Sequence, residues 1–166
     1  MSLAPASLLA KGDIVKVTIK GTGLATPIEI YPNVGEFSVW VGPGTSTSGP
    51  QETGRFNPFI IDWPKGVVAQ PPPGLQHCEV SFYAGCRRRE NCRVSDPVLV
   101  YVVSYDYDPA MRQGFVYLPG KGDAFYRRNI ATIFRGLEGN WFYATSDWEE
   151  FVRPRIARAR ARDSNR

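Results

Sequence analysis

The sequence predicts a mainly β fold, either a single-domain antiparallel β-sandwich or a partly open barrel, with one short C-terminal helix. Three observations support this prediction. The chain has 166 residues, which is about the length of one domain. Its 16 glycines and 14 prolines follow no repeat and separate short segments that alternate apolar and polar residues, as strands do. No run of about 18 apolar residues occurs, so we expect no membrane span.

The first strands are predicted from their alternation. Four short strands are expected at 13–20, 27–31, 36–41 and 59–63, and a long loop rich in Gly and Ser at 42–57. In 78–84 the apolar residues Cys78, Val80, Phe82 and Ala84 alternate with polar ones, which predicts a strand with one buried face. Residues 98–105 are almost all apolar and β-branched, which is typical of a central strand covered on both faces.

The remaining elements follow from turns and capping residues. Residues 115–118 are expected to pair back on the central strand, and 129–135 with 140–143 to form a second hairpin. Ser146 and Glu149 form a capping-box pattern, so a short helix should begin at Asp147. Pro154 is expected to stop or kink that helix.

Charge divides the chain unevenly. From residue 153 onward there are six arginines and one aspartate, a net charge of +5, whereas residues 1–152 carry −1. We expect residues 1–12 to be disordered or leader-derived and 13–153 to form the β domain. The charge difference indicates that 154–166 is a basic tail. Arg158, Arg160 and Arg162 are spaced by two, which fits no single helical face, so we interpret the tail as a solvated or frayed terminus. Nucleic-acid binding through phosphate contacts is the alternative that we do not favour.

The three cysteines have different expected roles. Cys78 belongs to the buried face of its strand and should be a free buried thiol. Cys86 would lie roughly 26 Å from it along an extended strand, too far for a disulfide. Cys86 and Cys92 instead bracket five residues at the neck of a loop, which favours a disulfide between them; two reduced thiols of a cytosolic protein are the alternative.

The stretch 114–135, GFVYLPGKGDAFYRRNIATIFR, resembles a family of uncharacterised bacterial proteins that commonly carry export signals. The likeness covers roughly residues 14–153, and its supporting segments are GLATPIEI, FIIDW, CEVSFYAG and NWFYATSDWEEFVRP. The resemblance implies a secreted or periplasmic protein and brings no assigned activity. Residues 1–10 lack the basic and apolar regions of a signal peptide, so we expect the leader to be absent from this chain.

Candidate chemistry is sparse. Asp106 and Asp108 follow the central strand and project on one side, so they are weak candidates for an acid–base pair or a Ca²⁺ site, and Tyr105 and Tyr107 are weak candidates for stacking on a ligand. The alternative is that Asp108 and Pro109 only begin a turn.

The single histidine, His77, argues against most zinc sites and metalloprotease motifs. It adjoins Cys78, and neighbouring strand residues point to opposite faces, which argues against a Cys–His nucleophile. We expect no metal and no cofactor.

Two functions remain open from the sequence. The first is a secreted or periplasmic, non-catalytic β module that binds a protein, a glycan or an envelope component. The second is a small hydrolase that acts on a polysaccharide or envelope polymer with a carboxylate pair. We favour the binding module, and a pocket where titratable groups converge would instead favour the enzyme. Ligand and oligomeric state are not readable from the sequence.

Overall fold

A computed structural model describes residues 13–32, 37, 39, 59–85, 97–129 and 136–165. Its strands, numbered in chain order, are β1 (Asp13–Gly21), β2 (Ile28–Ile30), β3 (Val67–Val68), β4 (Gln76–Gly85), β5 (Val98–Tyr107), β6 (Phe115–Tyr117) and β7 (Trp141–Tyr143). They form one open antiparallel sheet in the order β2-β1-β4-β5-β6-β7-β3. A four-residue helix α1 (Tyr126–Asn129) precedes β7, and a long helix α2 (Ser146–Ser164) follows it. The predicted mainly β, antiparallel fold with a C-terminal helix is confirmed.

The two strands predicted most clearly lie at the centre of the sheet. In β4 the side chains of Cys78, Val80 and Phe82 are completely buried, as the alternation predicts. β5 is the fourth strand of seven, and its residues 100–103 are all buried although they point alternately to the two faces. The prediction of a central strand covered on both faces is therefore confirmed.

Helix α2 covers one face of this sheet. Trp148, Val152 and Ile156 are fully buried and belong to the same core as β4 and β5. The Trp148 ring meets the Tyr105 ring edge to face, with centroids 5.8 Å apart. Burial of such apolar side chains contributes about 2 kcal/mol each, so the helix is held by packing rather than by its own helical propensity.

The predictions for the C-terminal helix and tail need correction. Helix α2 has 19 residues and contains Pro154, so the proline does not end it. Its N-cap is Thr145, whose side chain accepts a hydrogen bond from the Trp148 N–H at 3.3 Å, rather than Ser146. Residues 154–164 are helical, and Ala159 is buried, so this segment is not a frayed tail. Packing of the helix against the sheet outweighs the loss of one backbone hydrogen bond at Pro154.

Two other segments differ from the predicted strands. Within 59–63 the structure has isolated β-bridges at Phe59 and between Ile61 and Ala144 instead of a strand, and a 3₁₀ turn begins at Trp63. Asn129 ends α1, and residues 130–135 of the predicted hairpin strand lie outside the described residues; β7 pairs with β6 and β3. Of the predicted strand 36–41 the structure describes Phe37 and Val39, both buried; the loop 42–57 lies outside the described residues.

The side chain of Asn129 stands in for a strand partner. Its amide oxygen accepts from the Val102 N–H at 2.9 Å, and its amide nitrogen donates to the Val102 carbonyl at 2.6 Å. β6 pairs with β5 only from Ser104 to Asp106, so the backbone of Val102 lies beyond that pairing. A buried backbone amide needs such partners, and the side chain of α1 provides both.

Candidate functional site

The sheet face opposite α2, called the distal face below, carries polar and aromatic side chains in register. Two neighbouring cross-strand rows run over it. The first row is His77, Asp106, Phe115 and Tyr143. The second row is Lys20, Glu79, Ser104, Tyr117 and Trp141. Both rows pass from charged or polar residues on β4 and β5, and in the second row also on β1, to aromatic residues on β6 and β7.

His77 and Asp106 form the polar end of the first row. They are direct cross-strand partners, and His77 Nδ1 lies 2.7 Å from Asp106 Oδ1. Because an ionised carboxylate only accepts hydrogen bonds, this pairing assigns the proton to Nδ1, and the other ring nitrogen has no hydrogen-bond partner within the described residues. The His77 side chain is 57% exposed and that of Asp106 17%. Burial raises the pKa of Asp106, and the hydrogen bond from His77 partly offsets this rise.

The aromatic end consists of Phe115, Tyr117, Trp141 and Tyr143, called the aromatic strip below. These residues form two direct cross-strand pairs: the Phe115 and Tyr143 centroids are 5.8 Å apart, and the Tyr117 and Trp141 centroids 4.9 Å. Phe115 is buried, whereas the other three rings are partly exposed. Cross-strand aromatic pairs of this kind stabilise a sheet and also fix the orientation of their exposed surfaces.

Two contacts hold the rim of the aromatic strip. The Tyr117 hydroxyl donates to Asp123 Oδ2 at 2.7 Å, and the same carboxylate oxygen accepts from the Gly120 N–H at 2.8 Å. Both bonds lower the pKa of Asp123. The ammonium of Lys65 lies 5.6 Å from the centre of the Tyr143 ring. The strip therefore has a fixed phenol at one side and a cation at the other.

Asp108 and Asp106 have different partners. Asp108 Oδ1 accepts from the Ala110 N–H at 2.8 Å, and the Asp108 carbonyl accepts from the Met111 N–H at 3.0 Å, which is turn chemistry. Asp106 is bonded to His77. The structure thus supports the turn interpretation of Asp108 and gives the two carboxylates no shared proton or ligand.

Tyr105 and Tyr107 are not presented for stacking on a ligand, which corrects the sequence-based suggestion. Tyr105 is completely buried and Tyr107 is 4% exposed. Their rings stack on each other at 5.1 Å, on the face towards α2. Strand alternation explains the correction, since Tyr105 and Tyr107 must point away from the face that carries Asp106.

Cys78 is a buried free thiol on the face towards α2, opposite its neighbour His77. Burial raises its pKa to about 11, and the positive charge of Arg160 offsets only part of that rise. Such a thiol is a poor nucleophile at neutral pH. Cys86 and Cys92 lie outside the described residues, so the disulfide between them stays a prediction.

A buried charged cluster fastens α2 to the sheet. Glu149 is 7% exposed; its Oε1 accepts from the Gly114 N–H at 2.6 Å, and its Oε2 accepts from the Tyr105 hydroxyl and from Arg153 Nε. Arg153 also donates to the Tyr105 oxygen at 3.2 Å and to carbonyls of Asp108, Met111 and Arg112. Burial, together with the Glu149 carboxylate, raises the pKa of Tyr105. Every polar group of this cluster has a protein partner, which indicates a structural role.

Sequence reasoning singled out Asp106 but missed the rest of the distal face, because its other residues belong to no local motif. The available signal was the alternation of side chains along each strand. Val116 and Phe142 point to the buried face towards α2, so their neighbours Tyr117 and Trp141 point to the distal face. Among the described residues no group of three metal-ligating side chains occurs, and no described helix is long and apolar enough to cross a membrane. No family model, curated protein or solved structure shows significant similarity to this chain.

Proposed function

We propose that this protein is a non-catalytic β module that binds a glycan on the distal face. The observation that carries the proposal is the register of the two rows, which places aromatic rings directly beside a His–Asp pair and a serine. A sugar ring offers apolar C–H faces and polar hydroxyl edges. Trp141 and Tyr117 provide partly exposed aromatic surface, and Asp106, His77 and Ser104 provide acceptors and donors for hydroxyl groups.

Binding is favoured over hydrolysis by the arrangement of carboxylates. A glycosidase needs two carboxyl groups about 5 to 10 Å apart across the scissile bond. Asp106 is paired with His77, and Asp108, the other carboxylate of the predicted pair, caps a turn. His77 has no hydrogen bond to a hydroxyl or thiol within the described residues, and the thiol of Cys78 lies on the opposite face. The carboxylate pair predicted from the sequence, Asp106 and Asp108, is therefore not arranged as an acid and a base, and we favour recognition over bond cleavage.

The test is binding of a panel of soluble polysaccharides by affinity electrophoresis and calorimetry. We expect one class to bind, and we expect Trp141→Ala to weaken that binding by about tenfold or more because an aromatic anchor is lost. Asp106→Asn should also weaken it because an acceptor for hydroxyl groups becomes partly a donor. Trp141→Phe should retain most of the binding.

The matched control is Phe125→Ala, which removes an aromatic side chain that is 38% exposed and lies outside both rows. Its affinity should equal that of the unchanged protein. The proposal is wrong if Trp141→Ala and Phe125→Ala bind equally well. Release of reducing sugar by the unchanged protein would instead support the hydrolase.

We further propose that the protein acts in a secreted or periplasmic compartment, which the predicted Cys86–Cys92 disulfide and the family resemblance support. The measurement is the intact mass after alkylation of protein from its native compartment. Folded protein should take up no label at Cys78 near pH 8, because the pKa of this buried thiol is about 11. Unfolded, unreduced protein should take up one label, at Cys78, and reduced protein three. Three labels without reduction would place the protein in a reducing compartment.

A further inference from the structure

A groove of about 900 Å³ lies between strand β2 and helix α2, at the end of the sheet farthest from the aromatic strip. It is lined by Ile28, Glu29, Ile30, Tyr31, Pro32, Phe151, Arg155, Arg158, Ala161 and Arg162. β2 is the edge strand, and no described strand pairs with its outer side. The groove thus has one wall of strand and one wall of helix.

The strand wall presents its backbone edge. Five consecutive residues, 28–32, line the groove. Of these residues Ile28–Ile30 form β2, and because successive side chains of a strand point to opposite faces, a surface that touches all three runs along the strand edge. Such an edge offers backbone N–H and C=O groups in the geometry that an added strand requires. The Tyr31 ring, which is 67% exposed, lies at the end of this wall.

The helix wall is strongly basic. Arg155, Arg158 and Arg162 are spaced i, i+3 and i+7, which places these three arginines on one helical face. Arg160 does not lie on this face. It points to the other side of the helix and donates a hydrogen bond to the Tyr107 hydroxyl oxygen at 3.2 Å. Glu29 is the one acidic residue among those that line the groove, and it accepts a hydrogen bond from Tyr31.

We infer that this groove binds an extended acidic peptide, which adds to the sheet beside β2 and directs carboxylates to the arginines of α2. Arg158 and Arg162 are four residues apart, a rise of about 6 Å along the helix. Alternate side chains of an added strand are about 6.8 Å apart, which matches that spacing. Backbone pairing supplies the affinity, and the guanidinium groups select carboxylates. Nucleic acid is a poorer fit, because of the two rings that line the groove Phe151 already packs against Phe37 and Arg155, which leaves Tyr31 for its bases.

The experiment uses the full chain and fluorescently labelled peptides of about ten residues, measured by fluorescence anisotropy at about 0.15 M salt. The first peptide alternates Glu and Thr, the second has Lys in place of Glu, and the third has Pro in place of every second Thr. We expect the first peptide to bind, the second not to bind, and the third to bind at least about tenfold more weakly, because proline lacks the N–H that strand pairing needs.

The variant is R158Q/R162Q, which removes two exposed charges from the groove, and its matched control is K121Q/R127Q, which removes two exposed charges elsewhere. The groove variant should weaken binding of the Glu–Thr peptide by about tenfold, and the control should leave it unchanged. The inference fails if the Glu–Thr peptide does not bind, if both variants lose affinity equally, or if the proline peptide binds as well as the first. It also fails if a single-stranded oligonucleotide of the same charge binds more tightly through these arginines.

Discussion

Glu149→Ala is expected to destabilise the protein by about 3–5 kcal/mol, the usual cost of removing one partner from a buried ion pair. Glu149 is 7% exposed and accepts hydrogen bonds from the Gly114 N–H, the Tyr105 hydroxyl and Arg153. Without the carboxylate, the guanidinium of Arg153 is left partly buried without its counter-charge, and the Gly114 N–H has no acceptor. The measurement is the free energy of unfolding from urea titration at neutral pH.

The control is Glu150→Ala, which removes the same side chain from the next, exposed position of α2. A surface substitution of this kind should change stability by less than about 0.5 kcal/mol. Glu149→Gln should fall between the two, because its amide oxygen can still accept one hydrogen bond while the charge is lost. Equal stabilities for the two alanine variants would mean that the cluster does not fasten α2 to the sheet.

In this cluster the Glu149 carboxylate approaches the backbone closely at Gly114. A Cβ atom there would overlap Glu149 Oε1 and lie 2.8 Å from the Tyr105 ring. The carboxylate can reach the backbone N–H at 2.6 Å only because that side chain is missing. The sequence pattern presents Glu149 as the fourth residue of a capping box, where its side chain would bond the backbone N–H of the N-cap residue, so this buried role was not predictable from local pattern.

The central strands were predictable because their signal is local. Alternation around Cys78 and the uninterrupted apolar run after Val98 follow directly from the period of two in a strand. The pairing of His77 with Asp106 was not predictable, since it depends on the register of β4 with β5, which shifts at a bulge between Phe82 and Tyr83. A shift of one residue would move both side chains to different partners and faces.

The aromatic strip depends on a contact between distant segments. Tyr117 and Trp141 meet because β7 returns beside β6, and the intervening segment contains no pattern that specifies this return. By contrast, the alternation of side chains along β5 is enough to predict that Tyr105 and Tyr107 point away from the face that carries Asp106. Sequence reasoning therefore specified which residues share a face and that residues 115–118 pair with the central strand, but not that β7 lies beside β6.

The length of α2 was also encoded, although Pro154 and the arginines concealed it. Trp148, Val152, Ile156 and Ala159 are all buried and recur at spacings of four, four and three, which is the pattern of one helical face. That pattern continues across Pro154 without a break. As a local signal the proline predicts the end of a helix, whereas burial of the apolar face on the sheet decides the outcome.

Deletion of residues 155–166 is accordingly expected to destabilise the protein by about 4 kcal/mol or more, rather than to remove an inert tail. The deletion takes away Ile156, whose loss as a buried side chain costs about 2–5 kcal/mol, and Ala159 with it. It also removes the bonds from Arg160 to Gln76 and Tyr107. The melting temperature and the urea midpoint should both fall.

The matched controls separate packing from charge. R158Q/R162Q leaves the buried face intact and should unfold at nearly the same urea concentration as the unchanged protein, since both side chains are exposed. Ile156→Ala should reproduce a large part of the loss. A second readout is alkylation of Cys78, whose thiol lies near Arg160 on the covered face. The folded deletion variant should react faster there, whereas unchanged stability and an unreactive thiol would show that the second half of α2 contributes nothing to the core.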